Sequence, residues 1–150
     1  MDIEIEDLSI RHLGRLCEIE KQCFEQEAFT KKQFAYLLND YSIIGLAALV
    51  NGVIAGFAMA RLDIRRNAQF GHIVTVDVTP AYRRKGIAQK LLHEIEAMLR
   101  EKGVKECRLE VREDNSAALS LYQKLGYKKM GILESYYGDA DGLYLKKILQ

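Results

Sequence analysis

The run from Ile73 to Leu99, IVTVDVTPAYRRKGIAQKLLHEIEAML, limits the possible folds of this chain more than any other stretch. It predicts a strand, a proline-marked turn, a basic glycine turn and a long helix. Val74, Val76 and Val78 alternate with Ile73, Thr75, Asp77 and Thr79, the period of a strand, and Pro80 ends the run because it has no backbone N–H. Ala88, Leu91, Leu92, Ile95, Met98 and Leu99 recur at helical spacing, which turns Gln89, Lys90, Glu94, Glu96 and Arg100 to water in a helix expected over 84–102. Between strand and helix lies Arg83-Arg84-Lys85-Gly86-Ile87-Ala88. The first turn of a helix carries unpaired N–H groups and the positive end of the dipole, so cations there are unfavourable unless an anion also binds. Gly86 and Ala88 are small enough for a phosphate to approach the backbone. Taken alone, the cluster reads equally as solvated charge closing a loop. Among the 11 glycines there is no GxxxxGK[ST] and no GxGxxG, which excludes the P-loop and the dinucleotide fingerprint.

Composition enters as a bound on class. With 150 residues, 49% hydrophobic and 29% charged, residues 1–150 are expected to form one domain with a sizeable core. A net charge of +1, with the basic residues in a short cluster, gives no field for non-specific nucleic-acid binding. Cys17, Cys23 and Cys107 are an odd number without ligand spacing and read as small core residues in a reducing cytoplasm, with no metal expected. No signal peptide, lipidation motif or apolar run of membrane length is visible, so a cytoplasmic protein without a membrane partner is expected.

In chain order, Ile3 and Ile5 alternate with acidic residues as a short strand, and a helix follows over 9–23 with Leu13, Leu16, Ile19 and Cys23 as its buried stripe. His12 and His93 fall on helix surfaces. The linker Phe24 to Phe29 is too apolar for a plain surface loop. Thr30 and Gln33 form a capping box ahead of a short helix that buries Phe34, Leu37 and Leu38. Strand-like runs 43–50 and 53–61 flank Asn51-Gly52, a strong hairpin signal, and 62–69 reads as an exposed polar connection. Gly103 suits a left-handed helix cap. In the strand 105–112, Cys107, Leu109 and Val111 face one way and Arg108, Glu110 and Arg112 the other. Asn115 can cap a helix to Lys124 closed by Gly126, and 127–133 and 143–148 read as two last strands.

Arg83 to Ala88, fitting [RQ]-x-x-G-x-[GA] after a strand, resembles the pyrophosphate signature of the GCN5-related N-acetyltransferases. Asn115 to Tyr127 resembles the same family's N-x-x-A-x-x-L-Y-x-x-x-G-[FY] segment; without the first signature, it would read as a capped helix packing Leu119 and Tyr122. The resemblance covers nearly the whole chain. It implies an α/β (α+β) fold with a mixed sheet of about seven strands and about four helices, ordered β-α-α-β-β-β-α-β-α-β-β, in which two parallel strands splay apart around the acyl chain. It implies acetyl-coenzyme A as co-substrate: Val76 and Val78 on the pantetheine amides, Arg83, Arg84, Lys85, Gly86, Ile87 and Ala88 around the pyrophosphate, Asn115 on the coenzyme, and Tyr122 as proton donor to the leaving thiolate.

Within the family, Gly71-His72-Ile73 with Arg83 to Leu92 looks like the NatA type and its archaeal relatives, and Leu109-Glu110-Val111-Arg112 looks like the RimI type. These likenesses imply a protein N-terminus as acceptor, Glu110 as general base, and Tyr136 and Tyr137 as a peptide-binding pair. The chain departs from the RimI type in lacking proline and tryptophan over 24–29 and in a short loop after Tyr137. Glu27 and Phe29 are candidates to line the pocket for the first side chain. His72 is a second candidate for the base, against a structural role; for Glu110 the alternative is a surface carboxylate in a cross-strand ion pair. The alternatives for function are a lysine or small-amine acetyltransferase, or a coenzyme-binding subunit with little activity outside a complex. The likeness leaves open association with the ribosome or a homodimer.

Overall fold

The computed structural model describes residues 1–24 and 26–150; Glu25, inside the linker whose aromatics the sequence expects to be covered, lies outside the described residues. The described strands are β1 (Glu4–Asp7), β2 (Ile43–Val50), β3 (Val53–Arg65), β4 (Ala68–Val78), β5 (Glu106–Arg112), β6 (Lys128–Leu133) and β7 (Gly142–Ile148). They form one 7-stranded sheet in the order β1-β2-β3-β4-β5-β7-β6, parallel only between β4 and β5. The helices are α1 (Leu13–Cys23), α2 (Lys31–Leu38), α3 (Ile87–Glu101) and α4 (Ser116–Lys124), in the expected order. No described helix is long and apolar enough to cross a membrane.

Helices cover both faces of the sheet. On one face, Leu91, Leu92, Ile95 and Leu99 of α3 are each 0% exposed and pack on the sheet with Ile73, Leu109 and Leu145. Each such side chain contributes about 1.5–3 kcal/mol on burial. On the other, Leu16 and Ile19 of α1 and Phe34 and Leu37 of α2 enclose Phe57 and Met59 of β3. Gly71 sets how closely α3 approaches β4: a Cβ there would lie 2.6 Å from Leu99 Cδ1. Thr30 caps α2 as expected, accepting from the Gln33 N–H at 3.1 Å, while Gln33 Oε1 accepts from the Thr30 N–H at 2.8 Å.

Several local expectations are corrected. The connection 62–69 is mostly sheet, because Arg66 and Asn67 both adopt positive φ (54° and 64°) and make a tight hairpin turn that lets β3 and β4 run out beyond the core. A 3₁₀ turn, Ile10–His12, precedes α1, and His12 is buried, with Nε2 3.0 Å from Glu6 Oε2 and Nδ1 accepting the Ser9 N–H. Helix α3 begins at Ile87, three residues later than expected at its N-terminal end, since Gly86 takes φ +82° and Arg84 φ +61°. Glu96 does not face water: it is 1% exposed, and it accepts from Tyr127 Oη at 2.9 Å and from Lys147 Nζ at 2.7 Å. These distant partners turn a surface-pattern position into a buried link between α3 and β7.

The alternation in β4 also changes phase. Ala60 pairs with Ile73 and Met59 with Thr75, leaving Val74 as an extra residue in a bulge. Ile73, Val76 and Val78 consequently join the core beneath α3, whereas Val74 packs with α1 and α2. Thr75 and Asp77 are buried.

Candidate active site

Strands β4 and β5 pair only at Gly71 with Cys107 and at His72 with Arg108. Beyond these two positions they diverge, as the family resemblance implies, and their edges border a cavity of about 800 Å³. Its walls come from Ile73 to Val76 on β4, Leu109 to Arg112 on β5, Asn115 and Tyr122, the α1–α2 connection with Glu27 and Phe29, and Tyr136 and Tyr137 of the β6–β7 connection. Val76 therefore lies on the cavity; Val78 does not, and its carbonyl accepts from Arg83 Nε at 3.1 Å and from Cys23 Sγ at 3.4 Å. Cys23 and Cys17 are half-buried and pack against the core under α1 and α2, as expected, and Cys23 also reaches the cavity wall.

The chain makes a tight turn where α3 begins. None of the backbone N–H groups of residues 84–89 has a hydrogen-bond partner among the described residues. Gly86 is the residue before the first turn of α3, and its φ of +82° is one that a side chain disfavours. Arg84 and Lys85 are exposed beside these donors, and Arg83 folds back on Val78 and Cys23. Ile87 sends its side chain into the core, 1% exposed, so only its backbone and that of Ala88 serve the turn.

His72 and Glu110 meet where the strands part. His72 Nε2 is 2.7 Å from Glu110 Oε1, and His72 Nδ1 is 3.9 Å from Asp63 Oδ2. Glu110 thus has a cross-strand partner, the imidazole on the parallel neighbour, while Arg108 of its own strand turns to Glu106 at 2.9 Å. Tyr122 is 8% exposed, stacks edge-on with Tyr127 and lines the cavity. Burial is the first cause raising its hydroxyl above the usual phenol range, with the Asp77 charge adding to it. Asn115 caps α4 by accepting the Ala118 N–H at 3.1 Å and also borders the cavity. The rings of Tyr136 and Tyr137 meet at 4.9 Å; burial and the neighbouring Tyr136 push the Tyr137 hydroxyl up to about 12, and Glu110 acts in the same direction.

Two further residues that the sequence did not single out lie next to these. Asp63 faces His72, and Arg112 joins Glu27, Asp114 and Asp139. Arg112 was within sight as the last residue of Leu109-Glu110-Val111-Arg112, but its partners come from distant segments. The described residues contain no group of three or more His, Cys, Asp or Glu that could hold a metal.

The chain is 34% identical over 121 residues to the N-alpha-acetyltransferase of Saccharolobus solfataricus, covering 75% of this chain and 72% of that protein. It is 35% identical over 92 residues to the [ribosomal protein bS18]-alanine N-acetyltransferase of Escherichia coli, covering 61% and 60%. A chain of the NatC complex, in a crystal structure bound to Gag peptide and CoA, superposes with TM-score 0.89 at 26% identity over 100% of both chains. The model of the acetyltransferase (GNAT) family matches residues 13–127, spanning the splayed strands, the basic turn and Tyr122 alike, and this chain belongs to that family of acetyl-transferring enzymes.

Proposed function

We propose that the chain transfers the acetyl group of acetyl-coenzyme A directly to the N-terminal α-amino group of a protein or peptide. The observation that carries this reading is the Glu110 carboxylate, held by His72 at 2.7 Å on the wall of the cavity between the diverging β4 and β5. The names of the two sequence relatives, both N-terminal acetyltransferases, support the acceptor class. The residues present fit the co-substrate. Unpartnered N–H groups over 84–89, with Arg84 and Lys85 beside them, suit a pyrophosphate, and the unpaired edge of β4 at Val76, with Asn115 and Tyr122 facing the same cavity, suits the chain that bears the thioester.

Glu110 takes a proton from the acceptor, directly or through one water, freeing the nitrogen lone pair to attack the thioester carbonyl. A carboxylate suffices because an α-amino group ionises near ~8, whereas a lysine ionises near ~10.4. His72 orients Glu110 through Nε2 and leaves the second carboxylate oxygen for the acceptor. As the carbon–sulfur bond breaks, its electron pair passes to the sulfur, to which Tyr122, on the cavity wall with a hydroxyl that burial keeps protonated, would donate a hydrogen bond. A free thiol ionises near ~8.5, so Tyr122 stabilises the leaving thiolate by hydrogen bonding more than by surrendering its proton. Tyr136, Tyr137, Glu27 and Phe29 all border the cavity; in this reading the tyrosines bond the first backbone groups of the acceptor, and Glu27 and Phe29 flank its first side chain. The reading sets the reaction in the cytoplasm, in keeping with three free cysteines.

The test is thiol release with peptides varied at their first two residues, run beside peptides that have a blocked N-terminus and an internal lysine. Free N-termini are expected to react and blocked peptides not; the reverse preference would overturn the acceptor assignment.

A further inference from the structure

The guanidinium of Arg112 has all five of its N–H donors engaged, and only one of its three carboxylate partners is local in sequence. Nε donates to Asp114 Oδ1 at 3.0 Å and Nη2 to Asp114 Oδ2 at 3.2 Å; Nη1 donates to Asp139 Oδ1 at 3.0 Å and Nη2 to Asp139 Oδ2 at 3.2 Å. Nη1 donates also to Glu27 Oε1. Glu27 belongs to the connection between α1 and α2, Asp114 to that between β5 and α4, and Asp139 to that between β6 and β7. The Arg112 guanidinium also lies 5.4 Å from the centre of the Tyr137 ring.

We propose that Arg112 is a positioning residue that draws the α1–α2 and β6–β7 connections together over the acceptor end of the cavity, and so sets acceptor affinity. The inference rests on the acceptor reading above. Isolated surface ion pairs contribute little, but this guanidinium forks onto two aspartates at once and adds a third carboxylate, a geometry that only arginine's planar donor set can satisfy. The tie also bears on Tyr137, whose own loop is held by the bonds from Tyr137 N to Ala140 O and Gly138 N to Ser135 O. Without Arg112, Glu27, Asp114 and Asp139 repel one another and the two connections part. The peptide then meets a wider mouth, while Glu110, at the strand divergence, and the basic turn before α3 stay in place.

Arg112→Met removes the charge and keeps a long unbranched side chain. The peptide KM is expected to rise about tenfold or more, with kcat at saturating peptide within about threefold and coenzyme A affinity unchanged. Arg112→Lys, which restores charge with fewer donors, should fall between Arg112→Met and the native chain. Asp139→Asn, a substitution on an exposed loop with no demand on folding, should raise KM in the same direction by less. A second readout needs no turnover: amide hydrogen exchange at Tyr137 and Gly138 should quicken by about tenfold in Arg112→Met while the β5–β7 ladder keeps its protection. Unchanged KM and unchanged loop exchange would overturn the proposal, and so would a loss confined to kcat. Should the native protein acetylate no peptide at all, the acceptor reading fails, and the exchange measurement alone decides whether Arg112 ties the loops.

Discussion

Replacing Glu110 by Gln separates proton transfer from geometry, because the glutamine oxygen can still accept from His72 Nε2 where Glu110 Oε1 does at 2.7 Å. The strands should keep their divergence and coenzyme affinity should hold, so the loss reports the missing base. Positioned general bases contribute about 10²–10⁴-fold, which sets the expected fall in turnover at neutral pH. The variant must then use acceptor that has already lost its proton. For an α-amino group ionising near ~8, about a tenth of the acceptor is neutral at pH 7 and about nine tenths at pH 9. The deficit against the native enzyme should accordingly shrink by roughly tenfold between pH 7 and pH 9. The assay is kcat/KM for a fixed peptide across that range, with coenzyme A titration as a check on folding. A native rate at pH 7, or a deficit that does not change with pH, would refute the assignment of the base to Glu110. In that event His72→Ala should show the larger fall in kcat/KM.

Other predictions follow from the same geometry. Gly86→Asp should abolish coenzyme A binding in a titration, since it puts a carboxylate at the unpartnered N–H groups and a side chain on a residue at φ +82°. Tyr122→Phe should slow transfer by about 10-fold to 100-fold at most, and an acetyl donor with a more acidic thiol should rescue it in part; rescue no greater than the native enzyme's own gain would leave the hydroxyl only a positioning role. For stability, burial first and Glu20 next raise the Asp77 carboxyl well above its ordinary 3.8. The folded state therefore holds a proton there that the unfolded chain releases, so stability is present below the unfolded value and is lost as pH rises from about 4 towards the folded value. Asp77→Asn has no such proton to lose and should flatten the fall of Tm between pH 5 and pH 8, as followed by thermal melts; an unchanged slope would place the titration elsewhere.

The elements came through clearly in the sequence because each rests on neighbours within a turn or a hairpin. The apolar stripe of α3, the capping box at Thr30, Asn51-Gly52 between β2 and β3, and the glycine caps at Gly103 and Gly126, with φ of +79° and +96°, are all short-range signals. The basic turn and Asn115 to Tyr127 were legible for the same reason, and with them the family and its coenzyme. What the tertiary structure decided are the pairings between segments far apart. Which residue across the sheet meets Glu110, here His72, 38 residues away, depends on the register of two parallel strands that no local pattern encodes. The phase of β4 depends on a bulge that exists only opposite β3, and the burial of Glu96 depends on Tyr127 and Lys147, 31 and 51 residues away. Arg112 and Glu27 are 85 residues apart. Charge and periodicity mark such side chains as polar and outward, but only the packed chain brings their partners within hydrogen-bonding reach, where desolvation and direct contact outweigh the local pattern.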